Sequence, residues 1–134
     1  MKVAVVDGQG GGIGKLITER LQKEIGEKIE VFAFGTNALA TAVMLKAGAN
    51  EGATGENAIV QNMAKMDIIV GPVGIVVAHS MLGELTPAMA EAIGKSDARK
   101  MLLPINRCGI LVIGTGGESL PHLVDSLVKE IKEM

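Results

Sequence analysis

Residues 2–14 read Lys2-Val3-Ala4-Val5-Val6-Asp7-Gly8-Gln9-Gly10-Gly11-Gly12-Ile13-Gly14. A short apolar run closed by Asp7-Gly8 predicts a strand buried on both faces. After the glycines, Ile13, Leu16, Ile17, Leu21 and Ile25 recur at helical spacing. Lys15, Glu19, Arg20, Lys23 and Glu24 take the opposite face, and Gly26 is a stop signal. The chain downstream continues this alternation.

Residues 29–34 are rich in β-branched and aromatic side chains and predict a second strand. Asn37 caps a helix over 38–47, ended by Gly48. Residues 49–55 read as a polar loop, followed by a short helix over 56–65 with Thr54 as its cap. Residues 67–71 form a third strand. The segment 72–83 reads as a loop and a very apolar helix over 74–82. Thr86 and Pro87 open the next helix, over 88–93. A fourth strand spans 100–105. Only four residues separate it from an apolar run at 110–114, a gap that admits a hairpin but no parallel crossover. The fifth strand is therefore expected to be antiparallel. An amphipathic helix ends the chain, with Leu120, Leu123, Val124, Leu127, Val128 and Ile131 on one stripe. Strands alternating with helices predict an α/β, three-layer Rossmann-like sandwich with a mostly parallel sheet, in strand order 2-1-3-4-5.

Composition narrows the function classes. The chain has 134 residues, 48% hydrophobic and 21% charged, which suits one domain over 1–134 with a packed core. Its net charge is −2, with no Trp, no Tyr, two Phe and no long basic run. Nucleic-acid binding through a basic, stacking groove is not expected. The single Cys108 excludes an intramolecular disulfide and a cysteine-based zinc cage, and no metal site is expected. The apolar run 3–6 is too short for a signal peptide. The stretch 68–82 is broken by Gly71, Pro72, Gly74 and His79 and is too short for a membrane span. A cytoplasmic protein without a membrane partner is the expectation.

Between a strand and a helix, Asp7 to Gly14 is the candidate ligand loop. Glycines there allow a tight turn and let a phosphate approach the helix N-terminus. GxGxxG fails because position 13 is Ile13. Gly8, Gly12 and Gly14 match GxxxGxG, which resembles the cofactor loop of short-chain dehydrogenases. The chain lacks the tyrosine of their catalytic pair, and Phe34-Gly35-Thr36-Asn37 stands where a ribose-binding acid belongs. A P-loop fails at Gln9 and Leu16. The loop is therefore read as binding a nucleotide, a dinucleotide or another small phosphorylated ligand, with close helix-on-strand packing as the alternative. Asp7 repels phosphate and instead suits a ribose hydroxyl or Mg²⁺.

The stretches DGQGGGIG, GTNALATAVMLKAGANEGATGENAIV, GPVGIVVAHSMLGELTPAMAEAI and PINRCG together resemble an uncharacterised bacterial domain-of-unknown-function family. The resemblance covers nearly the whole chain and implies a small Rossmann-like protein. It supplies no activity and no catalytic residue.

In an open parallel sheet, ligands sit beyond the carboxyl ends of the strands. The expected site is therefore Asp7, Gly8, Gln9, Gly10, Gly11, Gly12, Ile13, Gly14, Thr36, Asn37, Gly71, Pro72 and Asn106, with Arg107 as a neighbouring cation. The loop 49–57 is a candidate lid or ligand loop, with an ordinary connection as the alternative. His79 is expected in the core or an interface, and His122 in solvent. Cys108 is a nucleophile only with a base beside it. The helices over 38–45 and 74–82 are too apolar for one sheet to cover, which predicts a homo-oligomer, most simply a homodimer. Two rival readings remain. One is a scaffold acting through those helices. The other is an enzyme on a non-phosphorylated substrate with Asp7, Glu51 or Glu56 as base.

Overall fold

A computed structural model describes residues 1–105 and 108–134. Five strands form one sheet: β1 (Lys2–Asp7), β2 (Glu30–Gly35), β3 (Glu51–Thr54), β4 (Ile68–Pro72) and β5 (Arg99–Leu103). The order is β3-β2-β1-β4-β5, and every pairing is parallel. Five α-helices connect and flank them: α1 (Gly12–Glu24), α2 (Ala38–Lys46), α3 (Glu56–Asn62), α4 (Pro87–Lys95) and α5 (Leu120–Lys132).

The period of two in β1 decides the layers. Val3 and Val5 pack on one face with α1, α2 and α5, through Ile17, Leu21, Met44, Val124 and Val128. Ala4 and Val6 pack on the other face with α3 and α4, through Ile59, Met89 and Ile93. The sheet is thus buried on both sides, as its continuous apolar strands require. The Arg20–Asp125 ion pair joins α1 to α5 at the rim of the first layer. Among the described residues, no helix is long and apolar enough to cross a membrane.

The three-layer, Rossmann-like architecture stands as expected, with two corrections to the sheet. The segment 110–114 is not a strand, so no antiparallel strand exists among the described residues. Gly109 just before it and Gly114 at its end are left-handed, at φ 76° and 95°, and turn the backbone instead of extending it. The fifth strand is β3, from the segment expected to be a loop. Its sequence, Glu51-Gly52-Ala53-Thr54, has little β-propensity of its own. It pairs because the outer edge of β2 offers unsatisfied backbone groups, in register Phe32↔Glu51 to Gly35↔Thr54. The loop 49–57 is therefore no lid.

The helices are corrected at two places. Residues 74–82 do not form one. A single 3₁₀ turn, Val73–Val76, gives way to successive turns in which His79, Met81 and Leu82 are left-handed. The backbone satisfies itself across the turn, with the His79 amide donating to the Leu85 carbonyl at 2.7 Å. His79 is exposed there, not in the core. Thr54 does not cap α3. Gly55 holds that position, and the Thr54 hydroxyl lies 2.7 Å from that of Thr41. The caps of α2 and α4 are as expected: Asn37 accepts from the Ala40 amide at 2.8 Å, and Thr86 from the Met89 amide at 3.2 Å.

Gly71 belongs to the sheet. A Cβ there would meet the Val6 carbonyl oxygen at 2.4 Å, between the two central strands. Gly71→Ala is expected to lose about 1–3 kcal/mol through that clash. Gly94→Ala, in α4 with nothing within 4 Å of the new methyl, is expected to gain about 0.5–1 kcal/mol. Urea midpoints of the two variants check the contrast, and equal shifts in one direction would refute it.

Candidate functional site

Chain direction across the sheet reverses between β1 and β4. From β1 the chain steps outward to β2 and β3 over one face, and from β4 to β5 over the other. The loops leaving β1 and β4 therefore diverge and leave a crevice at their carboxyl ends. A cleft of about 620 Å³ lies there, within the range of small-molecule sites. The floor and one side are Asp7 to Ile13. The remaining walls are Pro72, Gly74, Ser80, Met81, Ile105, Cys108 and Leu120.

Asp7, at the end of β1, is only 4% exposed. Its Oδ1 accepts from the Gly8 amide at 2.8 Å and its Oδ2 from the Gly14 amide at 2.7 Å. The carboxylate thus closes the loop on itself and takes an amide in the first turn of α1. Burial pushes its pKa up, the amides of Gly14, Gly8 and Ile13 pull it back, and repulsion from Glu84 adds to the rise. The net position is above the ordinary aspartate value.

Glu84 holds the loop from outside. One oxygen, Oε1, accepts from the Gln9 amide at 2.9 Å, the Thr36 hydroxyl at 2.7 Å and the Asn37 side-chain amide at 2.7 Å. Asn37 also donates to the Gln9 carbonyl at 2.9 Å. Three loops, after β1, β2 and β4, are tied at one point. Desolvation pushes the Glu84 pKa up, but these three donors outweigh it and hold the carboxyl below its ordinary value.

The glycines divide into two sets. Gly8, Gly11 and Gly14 are needed by the fold. A Cβ on Gly8 would meet the Thr36 hydroxyl at 2.4 Å, and one on Gly14 the Met44 sulfur at 2.5 Å. Gly11 is left-handed, at φ 74°, with Val43 at 2.6 Å from a Cβ. Gly10 and Gly12 are different. Both are exposed, nothing lies within 4 Å of a Cβ on either, and their amides have no acceptor among the described residues.

The expected residues are placed as follows. Asp7 to Ile13 and Pro72 line the cleft. Gly14 packs beneath it, Gly71 lies in the sheet, and Thr36 and Asn37 serve Glu84. Asn106 and Arg107 lie outside the described residues. Glu51 and Glu56 are exposed and away from the cleft, and the Glu56 carboxylate accepts from the Thr86 hydroxyl at 2.6 Å. His122 is exposed, as expected. Cys108 lines the cleft. Among the described residues, no group of three or more His, Cys, Asp or Glu side chains is placed to hold a metal ion. Glu84, Ser80, Met81 and Leu120 were not anticipated at the site. Glu84 follows a Gly in a loop beyond β4, and that position is the one signal the sequence carries.

The chain belongs to the family described as Domain of unknown function (DUF3842), whose pattern matches residues 2–134. No curated protein matches it. Among solved structures, it is similar to a dodecameric FMN-dependent Ubix-like decarboxylase from Escherichia coli O157:H7. That match has 14% identity and a TM-score of 0.48, and covers 100% of this chain and 77% of that one. It is also similar to a universal stress protein from Archaeoglobus fulgidus, with 14% identity and a TM-score of 0.41, covering 75% of this chain and 96% of that one.

The two carboxylates predict opposite pH dependences. Asp7, with a raised folded pKa, binds a proton that the unfolded chain has already lost, so its contribution falls as pH rises through that window. Glu84, with a lowered folded pKa, stabilises above the ordinary glutamate range, and that stability is lost as pH falls through its folded pKa. Wild type is therefore expected to exceed Glu84→Gln by about 1 kcal/mol at pH 7. The gap should close in acid. Urea titrations at pH 7 and pH 3 measure it, and a gap of the same size at both would refute the assignment.

Proposed function

We propose that this member of the DUF3842 family binds a nucleotide or phosphorylated metabolite in the cleft beyond β1 and β4. One observation carries the reading: Gly10 and Gly12 expose unsatisfied amides and open space at the cleft, beside the N-terminus of α1. Amides without acceptors at a helix N-terminus favour an anion, and the absent side chains let it approach. Asp7 is less of an obstacle than its charge suggests, because both its oxygens are engaged by the loop. The apolar walls, Ile13, Pro72, Met81, Ile105 and Leu120, suit the uncharged body of such a ligand.

A second reading, self-association, is favoured by α2. Its one polar residue before Lys46, Thr41, faces inward, where its hydroxyl accepts from the Gly35 amide at 3.1 Å. Leu39 is 61% exposed and Leu45 41%, so the outer face is apolar. Leu39→Glu is expected to lower the sedimentation coefficient at micromolar concentration while leaving the circular dichroism unchanged. A wild type that already sediments as a monomer would remove this reading.

Binding is tested by thermal shift against nucleotides and phosphorylated metabolites at millimolar concentration. A ligand at 100 times its dissociation constant is expected to add about 2.7 kcal/mol. Gly12→Val is expected to abolish that shift with little change in the ligand-free melting temperature, since nothing lies within 4 Å of its Cβ. Gly11→Val is expected to destabilise the fold outright. A Gly12→Val variant that keeps the full ligand shift would move the site elsewhere.

A further inference from the structure

The amides of the loop can be assigned one by one. Gly8 and Gly14 donate to Asp7, whose charge the Ile13 amide also stabilises, Gln9 donates to Glu84, and Gly11 donates to the Gly8 carbonyl at 2.9 Å. Gly10 and Gly12 remain. A loop that wraps a pyrophosphate or triphosphate needs a row of free amides, usually with a lysine or a bound cation to offset the charge. Here the protein's own carboxylates occupy most of that row. Among the described residues lining the cleft there is no Lys, Arg or His.

We infer that, if the cleft is the phosphate site argued above, its ligand carries a single phosphate, held by the Gly10 and Gly12 amides. Its uncharged body rests against Ile13, Pro72, Met81, Ile105 and Leu120. A nucleoside monophosphate or a sugar monophosphate has this form. A di- or triphosphate brings further negative charge beside Asp7 and the end of the loop that Glu84 holds, and among the described residues lining the cleft no cation offsets it. Asp7 retains a lone pair on each oxygen beyond its amide partners, which suits a hydroxyl of the ligand's body. The cleft thus selects on phosphate number as well as on the body it encloses.

The experiment compares paired ligands by calorimetry on the full chain, in EDTA at low ionic strength. The pairs are AMP with ATP, GMP with GTP, and fructose 6-phosphate with fructose 1,6-bisphosphate. In whichever pair binds, the monophosphate is expected to bind at least tenfold more tightly. In Glu84→Gln, whose side-chain oxygen still accepts from Gln9, the preference is expected to narrow by about threefold, because one repelling charge is gone. A polyphosphate that binds as tightly as its monophosphate overturns this inference and leaves phosphate binding standing. An unchanged ratio in Glu84→Gln removes its electrostatic basis. Silence from every pair, together with a silent thermal-shift panel, overturns the phosphate reading itself.

Discussion

A buried carboxylate must be given donors, and at Asp7 the donors come from the loop that Asp7 itself begins. Its two oxygens accept from the residue that follows it and from the first turn of α1. This fixes the angle between β1 and α1, and with it the position of every glycine between them. Without those bonds an ionised group at 4% exposure would be untenable beside the core. The cost of holding it appears in its raised pKa, and the return is a loop of defined shape. Glu84 completes the constraint from the other side by binding Gln9, itself left-handed at φ 49°.

The same constraint explains why the loop is so rich in glycine. One set admits neighbouring atoms: Thr36 against Gly8, Met44 and Asp7 against Gly14, Val43 and Ala40 against Gly11. The other set, Gly10 and Gly12, admits nothing that the protein supplies. Close packing is thus carried by Gly8, Gly11 and Gly14, while Gly10 and Gly12 leave open space. GxxxGxG spans both sets, so the motif by itself does not separate them.

The elements that the sequence made legible are those whose signals are local. β1, α1, the Asn37 cap of α2, the Thr86-Pro87 start of α4 and the stripe of α5 each depend on residues within about one or two turns of one another. The errors arise where a distant partner decides. Residues 51–54 become β3 through the edge of β2, against their own propensity. Residues 110–114 have high β-propensity, but the left-handed glycines at 109 and 114 turn the backbone there instead of extending it. The site follows the same division. Its glycine loop stands out in the sequence, whereas Glu84 is 75 residues from the amide it accepts and has no motif around it.

The turn that delivers Glu84 holds three of the four left-handed non-glycine residues found among the described residues. His79, Met81 and Leu82 are left-handed without being glycine, a state that costs of order 1 kcal/mol or more for each residue. A surrounding structure must over-determine such a turn. Ser80 donates its hydroxyl to the Gly74 carbonyl, the Leu85 amide donates to the Ser80 carbonyl at 3.2 Å, and Leu85 is fully buried. A regular helix over the same residues would relieve the strain and satisfy the backbone equally well. It would also carry Met81 off the cleft wall and Glu84 away from Gln9, since both positions depend on the reversal of direction between Ser80 and Leu85. The strain is therefore concentrated in the segment whose two side chains complete the cleft and lock its loop.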